Sequence, residues 1–184
     1  TQDERNATAR RLYREAGFSE ENPAKIEIRY NTSDIQQRIA LAIQSMWTEA
    51  LGVETTLVNE EFQVLLANMR EANITQVFRS SWIGDYNDAH TFLSIMQSDN
   101  PANMPRFSNE QFDQLMRNAA AQTDLHKRRL YLEEAERVLL HEHPAIPLYF
   151  YVSKHLVSPR VQGWGDNILD YHYSQHLSLA TETD

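Results

Sequence analysis

Cysteine is absent from the 184 residues, which excludes disulfide staples, a thiolate nucleophile and any zinc or iron–sulfur centre built on thiolates. Glycine occurs only five times and the five are scattered, so no glycine-rich loop cradles a phosphate and nucleotide binding has no support. Basic charge is also short: 17 Lys and Arg stand against 26 Asp and Glu, a net charge of −9. Such a chain repels a phosphate backbone, and nucleic acid is not expected as a partner. Long apolar runs are missing too. The densest, Ile146 to Val152, falls far below the roughly 20 residues of a membrane-spanning helix, so no direct membrane insertion is expected. No charged start followed by an apolar stretch opens the chain, and residue 1 is Thr rather than Met. The sequence therefore reads as a mature or excised piece whose original N-terminus, with any targeting signal, lies upstream.

What is present is enough to fold. Hydrophobic residues make up 41% and aromatics 10% of the chain, sufficient for a core of single-domain size with an appendage. Ala7, Leu12, Tyr13 and Ala16 share a helical face over 3–16, with Gly17 as a stop. Ile26, Ile28 and Tyr30 alternate with charged residues, the period of a half-buried strand. Behind the capping run Asn31 to Asp34, apolar residues from Ile35 to Ala50 recur at three- and four-residue steps until Gly52, which predicts the best-defined helix. Strand character over 53–58, a helix over 62–72 and strand character over 74–82 follow. Strand, helix, strand, helix, strand with short links predicts an α/β layer, whose ligands tend to sit beyond strand ends. A short helix within 89–98, a loop with Pro101 and Pro105, and a helical hairpin over 109–121 and 124–141 come next, ended by Pro144. The run 146–157 reads as a strand. Pro159 to Asp170 is then a connecting loop ahead of a tail too short to be a domain.

Four blocks in this order carry a resemblance: Tyr30-Asn31-Thr32-Ser33-Asp34, Leu51-Gly52-Val53, Trp82-Ile83-Gly84-Asp85-Tyr86-Asn87 and Ala145-Ile146-Pro147-Leu148-Tyr149-Phe150-Tyr151. Together they resemble the C-terminal third of periplasmic oligopeptide-binding proteins, the family 5 solute-binding components of ABC importers. The resemblance implies an α/β fold, one lobe of a two-lobed type II periplasmic-binding-protein architecture, with a mixed sheet flanked by helices. It also implies that residues 1–152 are most of the C-terminal lobe, and that 153–184 are a hinge and return segment packing on the other lobe. A peptide ligand and, through the full-length protein, the transmembrane subunits of an ABC permease are the implied partners. The implied location is periplasmic or extracytoplasmic and lipid-anchored.

Residue by residue, the resemblance assigns Asp85 to the α-ammonium of the peptide, a charge-assisted bond that would fix ligand register in a poorly solvated cleft. Arg70 and Arg79 match positions near the ligand, where guanidinium forks meet peptide carbonyls or a C-terminal carboxylate. Trp82 and Tyr151 would line the cleft, and the backbone from Arg79 to Ile83 would pair with the peptide as an added strand. No cofactor and no metal are implied. His141 and His143 lie two residues apart at a helix end and point away from each other, and His126, His155, His172 and His176 show no ligand spacing along the sequence. No catalytic residue is expected. Two alternatives stay open: a sensory or regulatory domain on the same fold, and a peptidase using His90 with Ser80 or Ser81, although no Gly-x-Ser-x-Gly elbow surrounds those serines.

Overall fold

The computed structural model of the protein describes residues 1–74 and 76–180. The chain forms two compact units, Thr1–Ser81 and Trp82–Asp184.

In the first unit, helix α1 (Gln2–Glu15) opens with a capping box in which the Thr1 hydroxyl accepts from the Glu4 amide and the Glu4 carboxylate reaches back to Thr1. This satisfies amide donors that a helix start otherwise leaves unpaired. Strand β1 (Lys25–Asn31) buries Ile28 and Tyr30 on one face, as the alternation predicts. Helix α2 (Asp34–Leu51) runs until Gly52, which takes the left-handed conformation (φ 72°) that ends helices at little cost to glycine. Strand β2 (Glu54–Glu60) pairs parallel with β1 from Lys25↔Glu54 to Asn31↔Glu60. Helix α3 (Phe62–Arg70), capped by the Glu61 carboxylate on the Gln63 and Val64 amides, leads to β3 (Val77–Phe78). That strand is shorter than the 74–82 expected from β propensity. Pairing begins at Ile28↔Val77 and ends at Arg29↔Phe78, because a residue counts toward a ladder only where a neighbour meets it. Thr75, inside the expected strand, lies outside the described residues.

The sheet order is β2-β1-β3. The chain steps from β1 outward to β2 through α2, then returns across β1 to β3 through α3, so β1 is the central strand and the winding direction reverses beside it. Helices α2 and α3 pack on this sheet.

The second unit is built on a helical hairpin. Helices α5 (Glu110–Ala121) and α6 (Leu125–Glu142) are capped by Asn109 and Asp124 and close on a core of Leu93, Phe112, Met116, Ala119, Leu132, Ala135 and Leu139. Phe112, Met116, Ala119 and Ala135 have no exposed surface. The short helix α4 (His90–Leu93), continued by a 3-10 turn over Ser94–Met96, packs against α6. The 97–107 loop is closed by Asn103, whose amide donates to the Gln97 and Phe107 carbonyls and whose oxygen accepts from the Phe107 amide.

The expected strand over 146–157 is not formed. Residues 145–156 are all exposed and without regular structure, Phe150 at 98%. A β-prone run becomes a strand only beside a partner that takes up its amides and carbonyls, and none of the described residues does so. Further on, β4 (Val161–Gln162) and β5 (Ser178–Leu179) pair antiparallel as a small ribbon.

Candidate functional site

In the first unit the sheet reverses its winding between β1 and β3, and ligands of such sheets bind outside the carboxyl ends of the strands at that point. The residues there are Asn31, closing β1, and Arg79, which follows β3. The Arg79 amide donates to the Arg29 carbonyl at 2.8 Å, and its guanidinium donates to the Asn31 side-chain oxygen at 3.4 Å. Among the described residues this one long contact occupies only part of the half-buried fork. On the other side of β3, no strand among the described residues continues the sheet. Nearby, Arg29 bridges Glu27 (2.5 Å) and Glu60 (2.7 Å), and these carboxylates, Glu27 first, raise its pKa. It is committed within the sheet. Arg70 closes α3 as an exposed residue in the last turn, where a cation complements the helix dipole.

In the second unit, Trp82 and Asp85 are drawn to one hydroxyl. Thr91 on α4 is only 1% exposed. Its Oγ1 donates to Asp85 Oδ2 (3.2 Å) and accepts from the Asp85 amide (3.2 Å) and the Trp82 indole N–H (3.4 Å). That is one donor hydrogen and two lone pairs, all used. Gly84, between the two anchored residues, lies so close to α4 that an added Cβ would stand 3.0 Å from Phe92 Cζ and 3.3 Å from Thr91 Cγ2. A larger residue there would push the Phe92 ring or the Thr91 methyl aside by a few tenths of an ångström. The result is a preset turn with the Asp85 carboxylate and Trp82 ring exposed.

A second lock fixes α4. Asp88 accepts from the His90 amide at 2.8 Å and forms a two-pronged pair with Arg128 of α6 at 2.6 and 3.0 Å. The Arg128 guanidinium holds the Asp88 carboxyl below the usual carboxylate range. The His90 ring is bonded to the Tyr86 hydroxyl at 2.7 Å. Tyr151 lies in the exposed 145–156 stretch.

The fold also brings together residues that linear spacing keeps apart. His155 and His172 converge on Asp170, each ring Nε2 bonding Oδ1, at 2.7 and 3.0 Å. The Ser153 hydroxyl, followed by His172, lowers the Asp170 carboxyl to about 2. In the sequence the two histidines are 17 positions apart, and no helical or strand period links them.

The comparisons with known proteins fit this architecture. The middle region of the bacterial extracellular solute-binding proteins, family 5, matches residues 1–104, and the chain belongs to that family. It is 35% identical over 181 residues to the periplasmic murein peptide-binding protein of Escherichia coli, covering 98% of this chain and 34% of that protein. The solved structure of that relative superposes with a TM-score of 0.89 at 32% identity, over 99% of this chain and 36% of the other. The structure of Haemophilus influenzae OppA in complex with the peptide RPPGFSPFR superposes with a TM-score of 0.88 at 31% identity, over 97% and 35% of the respective chains. A probable deoxycholate-binding periplasmic protein of Escherichia coli is 35% identical over 177 residues, 96% of this chain and 33% of that protein. The chain thus spans about a third of the length of these relatives. No helix among the described residues is long and apolar enough to cross a membrane.

Proposed function

We propose that the protein containing this chain captures peptides between two lobes and delivers them to an ABC-type importer, with no bond made or broken. The observation that carries the reading is the Trp82–Asp85 turn, locked on the buried Thr91 hydroxyl so that a carboxylate is held ready in solvent. A carboxylate pinned before the ligand arrives loses little entropy on binding, and an α-ammonium is the cation that every free peptide offers. In this reading Asp85 takes the peptide N-terminus. Arg79, at the point where the sheet reverses, takes a carbonyl or the C-terminal carboxylate, and Arg70 supports it as a second cation. Trp82 and Tyr151 supply apolar walls. The backbone from Arg79 to Ile83, which follows β3 and has no regular structure, would pair with the peptide as an added strand, which gives affinity indifferent to side chains.

The exposed apolar stretch 145–156 supports the division of the whole protein made from the resemblance. Residues 1–152 would form most of one lobe, and 153–184 would cross to and pack on the other. The two thirds of the relatives' length that this chain does not span would cover that surface. Capture of this kind takes place in the periplasm, in free or lipid-anchored form, with permease subunits as the receiving partner.

The relative named as a probable deoxycholate-binding protein favours a second ligand class, an amphipathic steroid acid. Its carboxylate would meet Asp85 as a like charge, so the two classes make opposite demands on that residue. Calorimetric titration of the full-length protein with di- to pentapeptides and, in parallel, with deoxycholate separates them. Peptide binding with no response to deoxycholate is expected, and deoxycholate binding alone would reverse the assignment.

A further inference from the structure

A cluster of possible metal ligands lies on the segment that follows Tyr151. His155 contributes Nε2, His172 contributes Nε2 and Asp170 contributes Oδ1, and these three atoms lie within 4.8 Å of one another. Two imidazole nitrogens and one carboxylate oxygen are a donor set for borderline-soft divalent ions, for which Zn–N distances of about 2.0–2.1 Å and Zn–O distances of about 2.0–2.2 Å are usual. Closing the trio around such an ion requires only small ring movements.

The trio is held by elements independent of any ligand. Asp170 has a left-handed backbone (φ 56°), a conformation that Asp tolerates better than most residues. Asn167 secures that turn from both sides. Its carbonyl accepts from the Asp170 amide at 3.0 Å, and its side chain both donates to the Tyr171 carbonyl (2.9 Å) and accepts from the Tyr171 amide (3.0 Å). The His172 ring is stacked on Trp164, with centroids 3.6 Å apart and planes at 12°, and the His155 ring stands edge-on to both, 5.1 Å from each. Aromatic contacts of this kind fix ring orientation, the role that outer partners play around metal-ligating histidines. Exposure is graded: the His172 side chain is 11% exposed, while His155 and Asp170 are 36% and 37% exposed. One flank is therefore closed by Trp164 and the other is open to solvent.

We propose that His155, Asp170 and His172 form a binding site for a divalent transition-metal ion of the zinc class, with one coordination position left to water or to an external donor. Calcium and magnesium are poor fits, since both prefer sets of oxygen ligands. Without an ion, the same Nε2 atoms hydrogen-bond Asp170. On binding, the ion takes the place of those hydrogens and the ring protons move to Nδ1. The ion would then tie the stretch after Tyr151 to the loop before β5 more firmly than hydrogen bonds alone.

The test uses the full-length protein, stripped with chelator and titrated with zinc chloride by calorimetry, beside His155→Gln, Asp170→Asn and His172→Gln. These amide replacements retain hydrogen-bonding capacity, and circular dichroism checks that each variant is folded. A His141→Gln/His143→Gln double variant is the control. The expected result is one zinc equivalent per chain whose affinity falls by about tenfold or more in each of the three single variants and is unchanged in the control. Equal zinc stoichiometry and affinity in the native protein and all three variants, or no zinc uptake by the native protein, would overturn the proposal and reduce the trio to a hydrogen-bonded latch.

Discussion

Replacing Thr91 by Val keeps the shape of a side chain that is 1% exposed and removes one hydroxyl. That hydroxyl makes three bonds, at 3.2, 3.2 and 3.4 Å, all at the long end of the hydrogen-bond range. Each contributes on the order of 0.5 kcal/mol, toward the weak end of measured net values, and the bond to the charged carboxylate somewhat more. The Asp85 carboxylate and the Trp82 ring are exposed and recover part of the loss from water. The Asp85 amide is the group with most to lose. A net cost of about 1–2 kcal/mol to the local stability of the 82–91 turn follows, or about tenfold in the local opening equilibrium. Native-state hydrogen exchange at the Asp85 amide reads this directly, and Thr91→Ser is the matched comparison because it keeps the hydroxyl and loses only the methyl. Protection should fall about tenfold in Thr91→Val and remain near the native level in Thr91→Ser. If Val exchanges like the native protein, or Ser like Val, the methyl rather than the hydroxyl secures the turn and the reasoning fails.

Two further outcomes follow from the same geometry. Phe112 has no exposed surface and stands edge-on to Phe107 at 5.4 Å, so Phe112→Ala should cost about 3–5 kcal/mol, seen as a lower denaturation midpoint in urea. Asp88 titrates below its ordinary range in the folded protein because of Arg128; its contribution is therefore fully present above the unfolded carboxylate value of about 3.9 and is lost as pH falls toward the folded one. Asp88→Asn should lower stability near neutrality by about 1–2 kcal/mol, and the native protein should lose that advantage on acidification below about pH 4. Identical acid profiles for the two proteins would show that the pair contributes nothing.

The elements that could be read from the sequence are those whose signals are local. The apolar period of 35–50 and the stop at Gly52 locate α2 closely, since both act within one helix. The caps Asn109 and Asp124 likewise mark the starts of α5 and α6. The signal fails where structure depends on a neighbour. Residues 146–157 have strand composition and no strand partner among the described residues, and β3 is trimmed to the two residues that meet β1. The site divides in the same way. Asp85, Arg79, Arg70, Trp82 and Tyr151 rest on the resemblance, and no periodicity singles them out. Thr91, which holds the turn, was missed. A Thr six residues after an Asp is an ordinary pattern, and its role shows only in the three hydrogen bonds that its buried hydroxyl makes to Trp82 and Asp85. The convergence of His155 and His172 on Asp170 was hidden because it arises from a loop closing on itself.

The most direct test of peptide capture pairs two changes to one contact. Full-length protein, native and Asp85→Asn, is titrated calorimetrically with the same peptides in free and N-acetylated form. The account predicts that either change alone weakens binding by about 2–5 kcal/mol, the range for breaking a desolvated charge pair, and that making both costs little more than making one. Acetylated peptides that bind the native protein as tightly as free ones would contradict recognition of the α-ammonium by Asp85.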